Sequence, residues 1–224
     1  MKKILVINAS VRGDRSYSRK LTQLFVDNWK ESHPEDRFTF REVGLEIVPH
    51  IDERWIAAAF TKPAARTEEN QAVLRLSNEL VAELKDHDIY VLGTPMYNWS
   101  IPSGLKAYLD QVMRMNETWK FRSGVPDGDY VGLLHDKQLF ILSSRGDTGY
   151  GAGEKNAHMN FQTSYLQFLF GIMGVTDVTT FSLDNEEFGG EIFERSKEGV
   201  REQILAVARQ PAFAVDAAEC LSNG

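Results

Sequence analysis

Three short loops hold the residues whose types and spacing suggest chemistry. The first, "ASVRGDRSYSRKL", sets Ser10, Ser16 and Ser18 around the start of a helix, with Arg12 and Arg15 between them. Hydroxyls beside the unsatisfied N–H groups and partial positive charge of a helix N-terminus make an anion cradle. Neither phosphate fingerprint is present, because no GxxxxGK[ST] and no GxGxxG follows the first apolar run. Phosphate binding and plain helix capping by Ser16 or Ser18 both stay open on this chemistry, and the arginines tilt it toward an anion.

The second loop, "TPMYNWSIP" (94–102), places Met96, Tyr97, Asn98 and Trp99 in a run too short to turn all of them inward. Some of that surface is therefore available to a ligand. A planar heteroaromatic group would stack on the Met and the rings. Asn98 offers a donor and acceptors to a ring edge bearing C=O and N groups. The bland alternative is a satellite hydrophobic cluster beneath the loop. The third loop, "SSRGDTGYGAG" (143–153), adds Ser144, Arg145 and glycines that allow close backbone approach. Gly149, Gly151 and Gly153 do not have dinucleotide spacing, so a plain flexible loop is its rival.

Other chemistries find no support. His33, His50, His87, His135 and His158 show neither HExxH nor Cys/His ligand spacing, so no metal site is expected. No GxSxG elbow appears, and no side chain is singled out as a catalytic nucleophile.

The elements that must position these loops read as alternating strands and helices. Apolar runs at 3–9, 89–94, 139–144 and 178–183 suit strands, and the first three are nearly continuous, as strands covered on both faces of a parallel sheet require. The segment 37–43 alternates and reads as a half-covered edge strand. Helical stripes lie between them: Leu21, Leu24, Phe25 and Trp29; Val73, Leu76, Leu80 and Leu84; Leu105, Leu109, Val112 and Met113; Phe161, Tyr165, Phe168 and Ile172; and a weaker one over 192–208. Thr67 is placed to cap the second, and Pro102 to sit in the first turn of the third. Strand then helix, five times over, is a doubly wound α/β domain. In such folds ligands bind beyond the carboxyl ends of the strands, which is where all three loops fall.

With 224 residues and 42% hydrophobic content, one domain over 1–210 is the simplest reading, with 211–224 as a tail. A net charge of −7 disfavours nucleic acid or an acidic membrane surface as partner. No run is long enough to span a membrane. The single cysteine, Cys220, permits no intramolecular disulfide and fits a reducing cytoplasm. One segment exceeds a minimal domain. The stretch 115–136, "MNETWKFRSGVPDGDYVGLLHD", is a long connection whose Trp119 and Phe121 read equally well as core plugs or as a lid.

Together the loops resemble those of the FMN-dependent NADH:azo-compound and NADH:quinone oxidoreductases. "PMYNW" is similar to that family's P-M-Y-N-F, "SSRGD" to its T-S-R-G-G, and Ser10 with "SYS" to its first-strand serine and S-x-S turn. "LSNELVAELKDHDIYVLGTPMYN" and "FLFGIMGVTDV" also read as family sequence, so the likeness runs from about residue 2 to 208. The resemblance implies a flavodoxin-like three-layer sandwich, with a five-stranded parallel sheet of order 2-1-3-4-5 and helices on both faces. It implies FMN as cofactor, its phosphate held by Ser10, Ser16, Tyr17 and Ser18. Met96, Tyr97, Asn98 and Trp99 would run along the ring, and Ser144, Arg145, Gly146 and Asp147 would meet its other edge. It implies a homodimer in which Trp119 and Phe121 reach the partner's flavin and bind substrate. The implied reaction is ping-pong hydride transfer, in which NADH or NADPH and then a planar quinone or azo compound occupy the same seat. A flavodoxin-like single-electron carrier and a flavin-free regulatory domain are the rivals. Three departures stand out: Trp99 replaces Phe, "VRGDR" is unusually charged, and Asp147 stands where the family usually has Gly. An inward-pointing Asp147 carboxylate would disfavour reduction, so its removal would raise the flavin's midpoint potential.

Overall fold

The structure is a computed structural model that describes residues 1–122 and 129–209. Its centre is a parallel sheet of β1 (Lys3–Asn8), β2 (Arg37–Glu42), β3 (Ile89–Pro95), β6 (Gln138–Ser144) and β7 (Asp177–Leu183), in the order β2-β1-β3-β6-β7. Omitting a separate hairpin, β4 (Trp119–Arg122) and β5 (Asp129–Gly132), this is the expected order 2-1-3-4-5. All four pairings in the sheet are parallel, and Val6 stands opposite both Phe40 and Val91. β2 lies at an edge, with Phe40 exposed, as its alternating sequence suggests.

The apolar runs need two covers because successive side chains leave opposite faces. On one face Ile4, Val6, Val91, Phe140 and Leu142 pack with Leu21, Phe25 and Trp29 of α1 (Tyr17–Ser32), and with Phe193, Val200 and Ile204 of α6 (Gly190–Ala208). On the other, Leu5, Ile7, Tyr90, Leu92 and Ile141 pack with α3 (Glu68–Asp86), α4 (Ser103–Val112) and α5 (Thr163–Met173). Thr67 caps α3 as expected, in a reciprocal box with Asn70. Pro102 stands one residue earlier than expected: it is the N-cap of α4 rather than part of its first turn. A short helix, α2 (Glu53–Phe60), follows β2 and is capped by Asp52.

The stripe assigned to α5 is overturned. Its buried face is Thr163, Leu166, Phe170 and Met173. Phe161, just before the helix, and Phe168 are 60% and 63% exposed. The reason is that "YLQFLFGIM" is apolar all round, so periodicity alone cannot choose which side meets the sheet. The long connection is likewise more ordered than a loop. Its described parts form the β4–β5 hairpin, tied to the end of α5 by Leu133 and Leu134 N–H groups donating to the Met173 carbonyl. The tail 211–224 lies outside the described residues.

The rim depends on one close backbone approach. Val43 and Gly44 N–H groups both donate to the Asn8 carbonyl, at 3.0 and 3.2 Å. A Cβ on Gly44 would run into the Ser10 carbonyl, which belongs to the first loop. Gly44→Ala should therefore cost about 1–3 kcal/mol in urea unfolding. Gly199→Ala, mid-helix in α6 with open space around it, should instead add about 0.5–1 kcal/mol.

Candidate functional site

The carboxyl ends of β1, β3 and β6 deliver the three loops to one edge of the sheet. In the first, a 3-10 turn (Gly13–Arg15) leads into α1, and Ser16 is the N-cap, its Oγ accepting from Arg19 N–H at 3.3 Å. Lys20 N–H donates to the Ser16 carbonyl. Of the four N–H groups that a helix start leaves over, those of Tyr17 and Ser18 remain for an anion. The hydroxyls of Ser16 and Ser18 lie 3.1 Å apart and buried, and the Ser10 Oγ accepts from Arg12 N–H at 3.2 Å. Arg19 stiffens the loop from behind by donating to the Ser10 carbonyl and pairing with Glu42. The Tyr17 ring packs edge-on against Phe193, so toward the loop this residue offers its backbone.

The second loop is a two-residue hairpin turn. Tyr97 and Ser100 exchange both backbone hydrogen bonds at 3.0 Å, and between them Asn98 and Trp99 have φ of 49° and 61°. Left-handed backbone at both central positions is a type I′ turn, normal for Asn and costly for Trp by about 1–2 kcal/mol. The strain is held from outside: the Trp99 carbonyl accepts from Phe161 N–H at 3.1 Å, and Ser100 Oγ donates to the Phe161 carbonyl at 3.2 Å. The result is a tryptophan ring 52% exposed at the rim. The Tyr97 hydroxyl is buried with no hydrogen-bond partner among the described residues.

Clefts lie on both sides of this turn. One of about 310 Å³ is lined by Met96, Asn98, Trp99, Gly146, Asp147, Tyr150 and Glu187. The other, about 650 Å³, opens among Tyr97, Asn98, Ile101, Lys106, Phe161 and Tyr165. The open amides of the first loop, the flat surfaces of the turn and the clefts beside it fit a phosphate-bearing planar group such as FMN.

The third loop starts where the Ser144 carbonyl accepts Met96 N–H at 2.8 Å, joining it to the second. The Arg145 side chain turns inward. Its Nε donates to Gln162 Oε1 at 3.0 Å and its Nη2 to Thr163 Oγ1 at 3.1 Å, while Gln162 Nε2 donates to the Thr94 carbonyl. At the cleft, then, Arg145 offers backbone rather than charge. Burial draws its guanidinium below the usual range, and burial lifts the Asp184 carboxyl above its own. Their separation of 3.9 Å is too loose to offset the lost solvation. Asp147 lines the cleft, and its carboxylate is tied by hydrogen bonds within its own loop. It accepts from Thr148 N–H at 2.7 Å and from Asn156 Nδ2 at 3.2 Å, with Lys155 3.9 Å away. The carboxylate that does lie over Gly146 belongs to Glu187, and Tyr150 stands beside it. Sequence reasoning named neither, because both enter the cleft through tertiary packing and carry no local motif.

Trp119 and Phe121 are not brought to this edge within one chain. They stand on β4 around Tyr130, with ring centroids 5.6 and 5.7 Å from it. The hairpin is fixed to the Met173 end of α5, whereas the rim meets the Thr163 end. At ~1.5 Å per residue, the helix separates those ends by about 16 Å.

A parallel sheet of this order, with an anion cradle and an aromatic turn at the rim where strand order reverses, defines a flavodoxin-like nucleotide-binding protein. The sequence model described as "Flavodoxin-like fold" matches residues 2–207. The chain is 42% identical over 210 residues to the FMN-dependent NAD(P)H:quinone oxidoreductase 1 of Pseudomonas aeruginosa, covering 93% of this chain and 99% of that one. It is 45% identical over 189 residues to an FMN-dependent NADH:quinone oxidoreductase of Trichormus variabilis, covering 84% and 87%. Among solved structures, an azoreductase from Bacillus anthracis superposes with a TM-score of 0.83 at 25% identity, covering 93% of this chain and 99% of that one. An FMN-dependent NADH-azoreductase from the same organism, in complex with FMN, gives 0.78 at 25% identity, covering 92% and 99%. The chain belongs to the family of FMN-dependent NADH:quinone oxidoreductases.

The Arg145–Gln162–Thr94 network carries a prediction. Gln162→Ala leaves a buried guanidinium and a buried carbonyl short of partners and should cost about 2–3 kcal/mol in urea unfolding. The exposed Gln167→Ala on the same helix should change stability by less than about 0.5 kcal/mol.

Proposed function

We propose that this chain is an FMN-dependent NAD(P)H oxidoreductase that reduces quinones to hydroquinones and cleaves aromatic azo compounds to amines. The observation that carries the reading is the pairing, on one sheet edge, of open helix-start amides with a strained turn that holds Trp99 outward. Relatives 42% and 40% identical over 93% of the chain carry quinone reduction in their names, and a solved neighbour is named an azoreductase. When bound, FMN supplies the redox chemistry by taking a hydride from a nicotinamide and passing it to the acceptor.

The protein's part is placement. Ser10, Ser16, Tyr17 and Ser18 hold the phosphate through hydroxyls and N–H groups. Met96, Tyr97, Asn98 and Trp99 flank the ring, and Ser144, Arg145, Gly146 and Asp147 meet its edge chiefly through backbone. No side chain acts as a nucleophile. Rate comes from stacking donor or acceptor about 3–3.5 Å from the ring in a slot that excludes water. A single-electron carrier would have no use for the wide cleft beside Phe161 and Tyr165, and the relatives' names do not favour that reading.

The working unit is a homodimer in the cytoplasm. Phe168 on α5 and Phe161 just before it are exposed to solvent although the helix is apolar on both sides, and such a helix calls for a second cover. Trp119 and Phe121, remote from their own chain's rim, bind substrate at the partner's site. No helix among the described residues is long and apolar enough to cross a membrane.

Purified protein should be yellow or become so with FMN, bleach on anaerobic NADH, and recolour when a quinone is added. Failure to gain absorbance near 450 nm with added FMN would end the reading. Sedimentation should give twice the 25.4 kDa chain mass. Phe168→Asp should halve that mass while leaving the far-ultraviolet circular dichroism intact.

A further inference from the structure

We infer that Glu187 sets the reduction potential of the bound flavin, lowering it by holding an unpaired carboxylate over Gly146 at the wall of the ring slot. The inference rests on the FMN reading above.

After β7 the chain folds back across the rim. Asn185 turns it with φ of 69°, and its carbonyl accepts from the N–H groups of Phe188 and Gly189. Two backbone hydrogen bonds then lay this strap along the third loop: Glu186 N–H to the Arg145 carbonyl at 3.2 Å, and Glu187 N–H to the Gly146 carbonyl at 3.1 Å. Backbone register therefore sends two successive carboxylates to different places. Glu186 reaches the first loop and pairs with Arg12 at 3.3 Å. Glu187 lies flat on Gly146, where an added Cβ would come within 2.6 Å of its Cδ and 2.8 Å of its Oε1. It lines the same cleft as Met96, Asn98 and Trp99.

The nearby cations are spoken for. Arg12 is held by Glu186, Lys155 lies 3.9 Å from Asp147, and Arg145 is buried against Gln162 and Thr163. Among the described residues Glu187 makes no ion pair. A hydride carries two electrons and one proton, so its transfer leaves the ring one negative charge richer. A carboxylate beside the slot opposes that gain. Asp147, whose carboxylate is tied within its own loop, does not fill this role.

The test uses full-length protein reconstituted with FMN: wild type, Glu187→Gln and Glu187→Lys. FMN affinity is read by fluorescence quenching, and the midpoint potential by spectroelectrochemistry against a reference dye. Glu187→Gln, at an exposed position, should leave the oxidised-FMN Kd within about twofold. It should raise the affinity for reduced over oxidised FMN about tenfold, an upward shift of about 30 mV for the two-electron couple. Glu187→Lys should move it further the same way. Wild-type potentials in both variants, or a changed Kd with no change in potential, would overturn the inference while leaving the FMN reading intact. A wild-type protein that takes up no FMN would overturn both.

Discussion

The rim is held together by one buried polar chain: Arg145 to Gln162, and Gln162 to the Thr94 carbonyl, with Thr163 taking a second guanidinium N–H. These residues come from the ends of β6 and β3 and the start of α5. They lock the second and third loops to the helix beneath them at the point where the sheet's strand order has already reversed. A guanidinium this buried is costly unless its hydrogen bonds are made. That makes the relative position of the loops stringent in a way that apolar packing would not. The wall of the cleft beside Trp99 therefore inherits its geometry from polar groups that do not line it.

The aromatic turn depends on that foundation. Two left-handed residues in succession, one of them tryptophan, would relax if the loop were free. The Phe161 backbone clasps the turn from the α5 side, and Met96 N–H clasps it from the Ser144 side. Strain and anchoring thus sit on adjacent residues, and the anchoring runs back to the buried polar chain.

How much of this was legible in the sequence follows from which interactions are local. The strands could be read because parallel pairing buries both faces, leaving nearly unbroken apolar runs in "KILVINA" and "IYVLGT", whereas their order followed only from the family resemblance. The Thr67 cap could be read because it is settled within one turn. The three loops could be read because α/β topology places them. What could not be read was orientation. "YLQFLFGIM" is apolar on every side, so nothing in it says that Leu166 and Phe170 face the sheet while Phe168 faces out. Arg145 and Asp147 were named from their loop, but the direction of each side chain is fixed by Gln162, Thr163, Thr148 and Asn156, which no spacing rule ties to them. Glu187 went unnoticed for the same reason, since it arrives by a strap some forty residues further along the chain.

The β4–β5 hairpin springs from the end of the molecule opposite the rim. Its aromatic residues are therefore carried by a segment separate from the three loops at the rim. On the dimer reading proposed above, variation along the hairpin would retune which flat molecule is admitted without loosening the loops at the rim. Under that reading, breadth of diet and fidelity of cofactor holding would be free to diverge.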